Sequence, residues 1–463
     1  MLRKGDMSER PNLVFVFPDE YRPQAIGCMH EDPVITPNLD AFSQESLVFT
    51  DAVSNRPVCS PYRAMLFSGK YPHTNGVLGN VNSSTVQYEN YLKEDERCFS
   101  DVLHDAGYAQ GYIGKLHLDP PNEEAHYTEG PRGDGRVWDS YTPPGPRRHG
   151  FDFWHSYGCC DWHNQPHYWH GDARIDQRLE VHEWSTKHET DVAVDYIENS
   201  TGWRDPDKPF SLFVSYNPPH MPFDQVPDAY VERYGDATHQ DLLTRPNVPT
   251  DERGDRARRD VKNYFAMVTG VDEHFGRILT SLKENGLEEN TIVVFTSDHG
   301  EMMGSHGLMG KSVWYEESMK IPLKVRWPGR INPGQDDLLI GTADLTSTIL
   351  SLTGQKEQIP DEMQGNDYAG VMLGEDGDRP SSALYLETNP GWPEGGRRGV
   401  RTHRHTYVVE RARDGSEKEI LHDNQEDPYQ MTNVAGEQTD VATGLRDEMN
   451  GWLSETGDPW VGA

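Results

Sequence analysis

Short apolar runs in this 463-residue chain end in side chains that can do chemistry. Residues 13–17 run into Asp19-Glu20, residues 109–113 into Lys115-x-His117, residues 210–215 into His220, and residues 292–296 into Asp298-His299. Carboxylates and imidazoles ligate divalent cations and carry protons, and a lysine beside them can neutralise an anion. A further group is Cys59-Ser60-Pro61-Tyr62-Arg63. A lone cysteine is ordinarily a buried free thiol, here beside a turn proline. Yet Cys-x-Pro-x-Arg should occur by chance only about 0.02 times in a chain of this composition.

Continuous apolar runs of this length read as strands buried on both faces, hence as a largely parallel sheet flanked by helices, an α/β architecture. The clearest helix spans 261–285, where Phe265, Val268, Val271, Phe275, Ile278, Leu279 and Leu282 form one stripe closed by Gly286. Ligands of open α/β sheets sit beyond the carboxyl ends of the strands, so the chemically capable strand ends should converge on one crevice. The order of the strands does not follow from the sequence. A polar, turn-rich stretch at 374–380 reads as a linker, placing a catalytic domain over 8–375 and a smaller subdomain over 376–463. The latter should hold a small antiparallel sheet, from pieces at 383–387, 399–402, 406–409 and 419–421, with a helix at about 441–453 packed on it.

With 43 basic and 76 acidic residues the net charge is −33. Such a surface repels nucleic acid and anionic membranes, so an anionic substrate must be drawn by a local cationic pocket. The 5 cysteines form neither a disulfide framework nor a CxxC zinc site, and a bridge between the adjacent Cys159 and Cys160 would be strained. No run approaches the ~20 apolar residues needed to span a bilayer. The charged residues 1–10 lead into an apolar run too short for a secretory core, with no small-residue cleavage site. The expectation is a cytoplasmic protein, although a chain trimmed of a leader would read the same way.

Taken in order, Asp19-Glu20, Cys59-x-Pro61-x-Arg63, Gly114-Lys115-x-His117, Pro219-His220, Thr296-Ser297-Asp298-His299-Gly300-Glu301 and Gly310-Lys311 resemble the type I, formylglycine-dependent sulfatases of the alkaline phosphatase superfamily. Phe67-Ser68-Gly69-Lys70-Tyr71-Pro72-His73 resembles the second half of their signature, with Ser68 and Lys70 where Thr and Arg are more usual. The resemblance implies an α/β/α sandwich with a smaller carboxyl-terminal subdomain. It further implies that a maturation enzyme converts Cys59 to Cα-formylglycine. Hydrated formylglycine would supply a geminal diol, one hydroxyl attacking sulfur and the other later collapsing to the aldehyde and expelling sulfate.

The same resemblance gives roles to the other residues. Asp19, Glu20, Asp298 and His299 resemble the metal ligands, with Cys59 at the bound diol. Glu20 replaces the more usual second Asp, so it either coordinates or hydrogen-bonds beside the site. The carboxylate-rich set favours calcium, and the histidine keeps manganese or zinc open. Arg63 would hold the formylglycine hydroxyl, while Lys115 and Lys311 would contact sulfate oxygens. His117 would deprotonate the diol for aldehyde regeneration and His220 would protonate the leaving alcohol.

Specificity is expected in the segment 119–188, whose Trp154, His155, Trp162, His163, His167, Tyr168, Trp169, His170 and Trp184 stand among prolines and glycines. Aromatic faces with interleaved hydrogen-bonding groups suit a sugar ring, which makes Trp162, His163, His167, Trp169 and His170 candidate substrate contacts. His163, His167 and His170 could alternatively form a zinc site, and aromatic packing of a loop is the plainer explanation for any one of them. The resulting expectation is hydrolysis of the sulfate ester of a sulfated oligosaccharide. Two alternatives are a phosphonate or phosphate monoester hydrolase, which the stretch Asp19-Glu20-Tyr21-Arg22 resembles and which makes Arg22 a candidate contact, and an inactive sulfatase-like glycan-binding protein.

Overall fold

The computed structural model describes residues 10–121 and 135–462. The reading of residues 1–9, and the part of the specificity segment at 122–134, lie outside the described residues. In chain order the strands are β1 (Asn12–Val16), β2 (Leu47–Phe49), β3 (Ala109–Lys115), β4 (Phe153–Tyr157), β5 (His167–His170), β6 (Leu179–Glu180) and β7 (Phe210–Ser215). There follow β8 (Thr291–Phe295), β9 (Leu323–Arg326), β10 (Gly334–Asp336), β11 (Ala383–Glu387), β12 (Gly396–Arg401), β13 (His405–Arg411) and β14 (Glu417–Asp423).

Ten of them form one sheet in the order β10-β2-β9-β8-β1-β7-β3-β4-β5-β6. The central run β8-β1-β7-β3-β4 is parallel throughout, and β9, β5 and β6 add antiparallel pairings toward the edges. Burial on both faces explains the apolar runs. Along β1, Leu13 and Phe15 enter one core, with Leu66 and Phe67 of the helix Cys59–Ser68 and Leu345 of the helix Thr342–Leu352. Val14 and Val16 enter the opposite core, against Phe265, Val268 and Phe275 of the helix Asp255–Glu284. That helix starts a turn and a half before the apolar stripe does, because its first residues are polar and largely exposed. The result is an α/β/α sandwich.

Strands β11 to β14 make a separate four-stranded antiparallel sheet. One face packs on Leu445, Met449 and Leu453 of the helix Thr439–Thr456, and also on Met65 and Ala343 of the larger unit. The other face, through Tyr385, Val408 and Ile420, packs on Val53, Trp314 and Met319. The subdomain is thus wedged against the large sheet's flank. Among the described residues no helix is long and apolar enough to cross a membrane, and all 5 cysteines are free thiols.

Candidate active site

The carboxyl ends of β1, β3, β7 and β8 lie side by side in the parallel run, which brings Asp19, Lys115, His220 and Asp298 to one rim. Cys59 is the first residue of the helix Cys59–Ser68, where a proline is tolerated at position 61 because first-turn N–H groups have no intrahelical acceptor. Arg63 follows four residues on, one turn along the same face. Gly69 ends the helix at φ 66°, a left-handed conformation that favours glycine.

Four ligand atoms, from Asp19, Cys59, Asp298 and His299, lie within 4.8 Å of one another, and all four residues are buried. Cys59 Sγ is 3.6 Å from Asp19 Oδ1 and 3.4 Å from His299 Nε2. His299 Nδ1 lies 3.0 Å from the Gly300 carbonyl, to which it donates, so Nε2 is the nitrogen turned toward Asp19 and Asp298 at 3.4 and 3.5 Å. Two carboxylates and an imidazole of fixed tautomer, closing on one point, fit a divalent cation. Glu20 is not in this group: its Oε1 pairs with Lys311 Nζ at 3.0 Å and its Oε2 stands 3.7 Å from His220 Nε2.

Cations enclose the cluster. Arg63, fully buried, donates through Nη1 to the Lys115 carbonyl and Ser215 Oγ at 2.7 and 2.6 Å. Its Nη2 lies 3.2 Å from both Asp19 Oδ2 and Asp298 Oδ2. Lys115 Nζ is 2.7 Å from Asp19 Oδ2 and donates to Asn217 Oδ1 at 3.0 Å. The Lys311 side chain keeps 16% of its surface exposed where those of Arg63, Lys115, Asp19 and Asp298 keep none, so it marks the mouth of the site.

Burial works against ionised Asp19, and Lys115 overrides it, holding the carboxyl well below its usual range. Asp298 is raised by burial and by the neighbouring Asp19 charge. Burial opposes a charge on His299 too, but the Asp298 carboxylate wins and lifts its pKa to about 9. For Cys59 burial and Asp19 oppose the thiolate, and Lys311 and Lys115 outweigh them, so the encoded thiol is acidic. These opposed shifts within one crevice are the pattern expected of a reactive centre.

His117 donates Nε2–H to the Val81 carbonyl at 2.9 Å, which makes Nδ1 its titrating nitrogen; burial opposes a charge there, and Cys159 and Cys59 outweigh it and raise the pKa to about 9. His220 Nδ1 donates to the Met221 carbonyl at 2.6 Å, leaving Nε2 for transfer. The sequence reading missed Asn217, which ties Lys115 to the Cys160 carbonyl and to Asp161. Its place two residues after the apolar run, before Pro218-Pro219-His220, was the available signal.

The specificity candidates divide. His163 Nε2 donates to the His220 carbonyl at 2.8 Å and is 1% exposed, a buried support of the rim where a substrate contact was expected, whereas the half-buried Trp162 before it flanks the rim. Trp169 does not: it is 1% exposed and donates Nε1–H to the Ile175 carbonyl, a core residue where a sugar contact was expected. His167 is buried against Asp139 at 2.7 Å, and His170 pairs with His155 across β4 and β5 at 3.1 Å. His163, His167 and His170 therefore form no common zinc site; His167 groups instead with Asp139 and Cys160. Arg22 is 1% exposed and closed by Asp32 at 2.7 Å, a structural ion pair where a substrate contact was expected.

Comparison with known proteins finds sulfatases. The Sulfatase family profile matches residues 11–355, and that of the N-sulphoglucosamine sulphohydrolase C-terminal region matches 304–455. An endo-4-O-sulfatase of Bacteroides thetaiotaomicron is 40% identical over 98% of this chain and 94% of its own. An ulvan-active sulfatase of Formosa agariphila is 33% identical over 99% of this chain and 84% of its own. The crystal structure of yidJ from Bacteroides fragilis superposes with a TM-score of 0.92 at 43% identity, covering 99% of both chains.

Proposed function

The chain belongs to the sulfatase family, and we propose that it removes a sulfate ester, of 4-O type, from a sulfated carbohydrate chain, using Cys59 matured to formylglycine and a divalent cation, calcium by preference, held by Asp19, Asp298 and His299. It is a sulfuric ester hydrolase acting on sulfated carbohydrate. The 4-O assignment takes its support from the endo-4-O-sulfatase relative at 40% identity. One observation carries the mechanism: Cys59 Sγ shares a 4.8 Å neighbourhood with two carboxylates and an imidazole, inside a ring of buried cations.

When bound, the cation supplies Lewis-acid charge that stabilises an anionic oxygen. When formed, formylglycine supplies the nucleophilic hydroxyl that a thiol lacks. The chain's own groups do the rest. Lys115, fixed by Asp19 and Asn217, and Lys311, fixed by Glu20, bring positive charge to the non-bridging oxygens of the ester. Four contacts from Arg63 tie the helix carrying Cys59 to β3, β7 and both carboxylates, so nucleophile and cation ligands keep one geometry. His220 delivers a proton from Nε2 to the leaving sugar oxygen, and His117 receives one at Nδ1 on the Cys59 side. Trp162, half-buried at the rim, contacts the sugar, and the buried His163 beside it holds the His220 main chain.

The test is protein co-expressed with a formylglycine-generating enzyme and incubated with oligosaccharides sulfated at different positions. The peptide containing Cys59 should carry an aldehyde, visible by mass, and sulfate should be released from the 4-O-sulfated member. Cys59→Ala should abolish release. Equal turnover by protein whose Cys59 is verified as unmodified would sink the mechanism.

A further inference from the structure

A cleft of about 800 Å³ opens beside the reaction centre, between the large sheet's loops and the carboxyl-terminal sheet. Its walls bond to residues next in the chain to the catalytic ones. Asn80 in its wall accepts the backbone N–H of Ser60, next to Cys59, at 3.1 Å. Arg56 donates to Ser312 Oγ, next to Lys311, at 2.7 Å. The ring of Trp138 lies 6.0 Å from that of His117.

The lining inverts the sign of the molecule. Five lining residues are Arg or Lys and three are Glu, in a chain of net charge −33, so the cleft is a local cationic well that focuses an anion. Arg397 is neutralised by Glu387 and Glu410, and Arg411 by Glu417. Arg56 is different: it is 6% exposed, its bonds go to the neutral Ser312 Oγ and Thr388 carbonyl, and its buried Nε has no partner. A buried guanidinium facing neutral acceptors bears a desolvation cost that an arriving anion would relieve. Lys418, exposed on β14, adds a further positive charge, and Trp138 and Trp392 add aromatic faces suited to sugar rings.

We propose that this cleft is an accessory saccharide subsite, holding the sugar next to the one being desulfated and receiving a second anionic substituent, sulfate or carboxylate, at Arg56 and Lys418. The proposal rests on the sulfatase reading above and deepens it: the preferred substrate is an oligosaccharide with at least two anionic groups, and the carboxyl-terminal sheet is part of its binding surface. A volume of about 800 Å³ exceeds what one sulfated ring needs and falls in the usual ~300–1,000 Å³ range of sites that enclose a larger ligand.

The test uses oligosaccharides that share the scissile sulfate and differ in the neighbouring ring, which bears a sulfate, a carboxylate or no charge. With matured full-length enzyme, an anionic neighbour should raise kcat/KM by about tenfold or more, mostly through KM. Lys418→Glu, Trp392→Ala and Arg56→Met should each remove most of that preference, measured as the ratio between charged and uncharged substrates. The arm that gains more identifies the group received. In a Cys59→Ala background, calorimetric Kd values for the same compounds should follow the same order. Equal kcat/KM and Kd for charged and uncharged neighbours, or a preference that all three variants leave intact, would overturn the proposal. If no compound releases sulfate, the sulfatase reading itself fails, and the calorimetric comparison still decides the cleft.

Discussion

Raising the pH of chelator-stripped protein should tighten its grip on a divalent cation, and His299 sets by how much. Without a cation, its Nε2 sits 3.4 and 3.5 Å from the Asp19 and Asp298 carboxylates. An imidazolium there stands in for the missing positive charge. The lift from 6.5 to about 9 corresponds to about 3 kcal/mol of preference for the protonated ring. A cation needs the Nε2 lone pair, so binding must expel that proton at any pH below about 9. Affinity should therefore rise about tenfold per pH unit between pH 6.5 and 9 and level off above. For the metal-free fold the sign runs the other way: stability from the raised pKa is full below about 6.5 and lost as pH climbs through about 9. Titration calorimetry at pH 7.5 in buffers of different ionisation enthalpy should report close to one proton released per cation, roughly the whole population of imidazolium. His299→Asn keeps a ligand oxygen but no titratable proton, so proton release should vanish while binding persists. A release near zero in the parent protein, or an affinity flat from pH 6.5 to 9, would refute the assignment of His299 to the cation.

Two further outcomes follow from the same cluster. Arg63→Met leaves the buried Asp19 and Asp298 carboxylates without their guanidinium, and breaking such a pair should cost about 3–5 kcal/mol in urea unfolding of stripped protein. The loss should be smaller with cation bound, because the same carboxylates are then compensated; equal losses in both states would contradict the shared electrostatics. His220→Ala should slow release of sulfate from a sugar alcohol by about 100-fold or more and nitrophenyl sulfate far less, since only the alcohol needs a proton to leave; parallel losses on the two substrates would remove His220 from that role.

Much of this centre was legible in the sequence, because its information is local. An apolar run ending in Asp19-Glu20 or Asp298-His299 announces both a doubly buried strand and a functional residue at its carboxyl end. The four-residue step from Cys59 to Arg63 is one helical turn wherever the helix lies. The strand order and the antiparallel edges were not legible, since pairing such as β8 with β9 depends on contacts distant along the chain. Specificity was the least legible. Trp162 and Trp169 read alike as residues, yet one borders the crevice and the other fills the core. Arg22 read as a candidate substrate contact, and in the fold Asp32 closes on it. The cleft lined by Arg56, Asn80 and Trp392 joins residues more than 300 positions apart and has no linear signature.

Glu20 shows where local reading and geometry meet. The family pattern puts an aspartate there and makes it a ligand; the sequence left open whether the longer glutamate still coordinates. In the fold its backbone N–H donates to Asp298 Oδ1 at 3.1 Å, which keeps the main chain at the cluster, while φ of 71° turns the residue into a left-handed conformation. One extra methylene then carries the carboxylate outward to Lys311 at 3.0 Å, facing His220 at 3.7 Å. Burial alone would raise this carboxyl, and Lys311 overrides it, so the group stays ionised. Behind it, Glu301 accepts the N–H groups of Met303 and Gly310 at 2.8 Å, and Gly310 immediately precedes Lys311. The Glu20 carboxylate thus pairs with the lysine at the mouth and stands outside the cluster of Asp19, Cys59, Asp298 and His299. Lys311 is the one cation of the cluster that solvent can reach, and without an anchor its flexible stem would have many other positions to occupy. Glu20 fixes that stem at the mouth of the crevice.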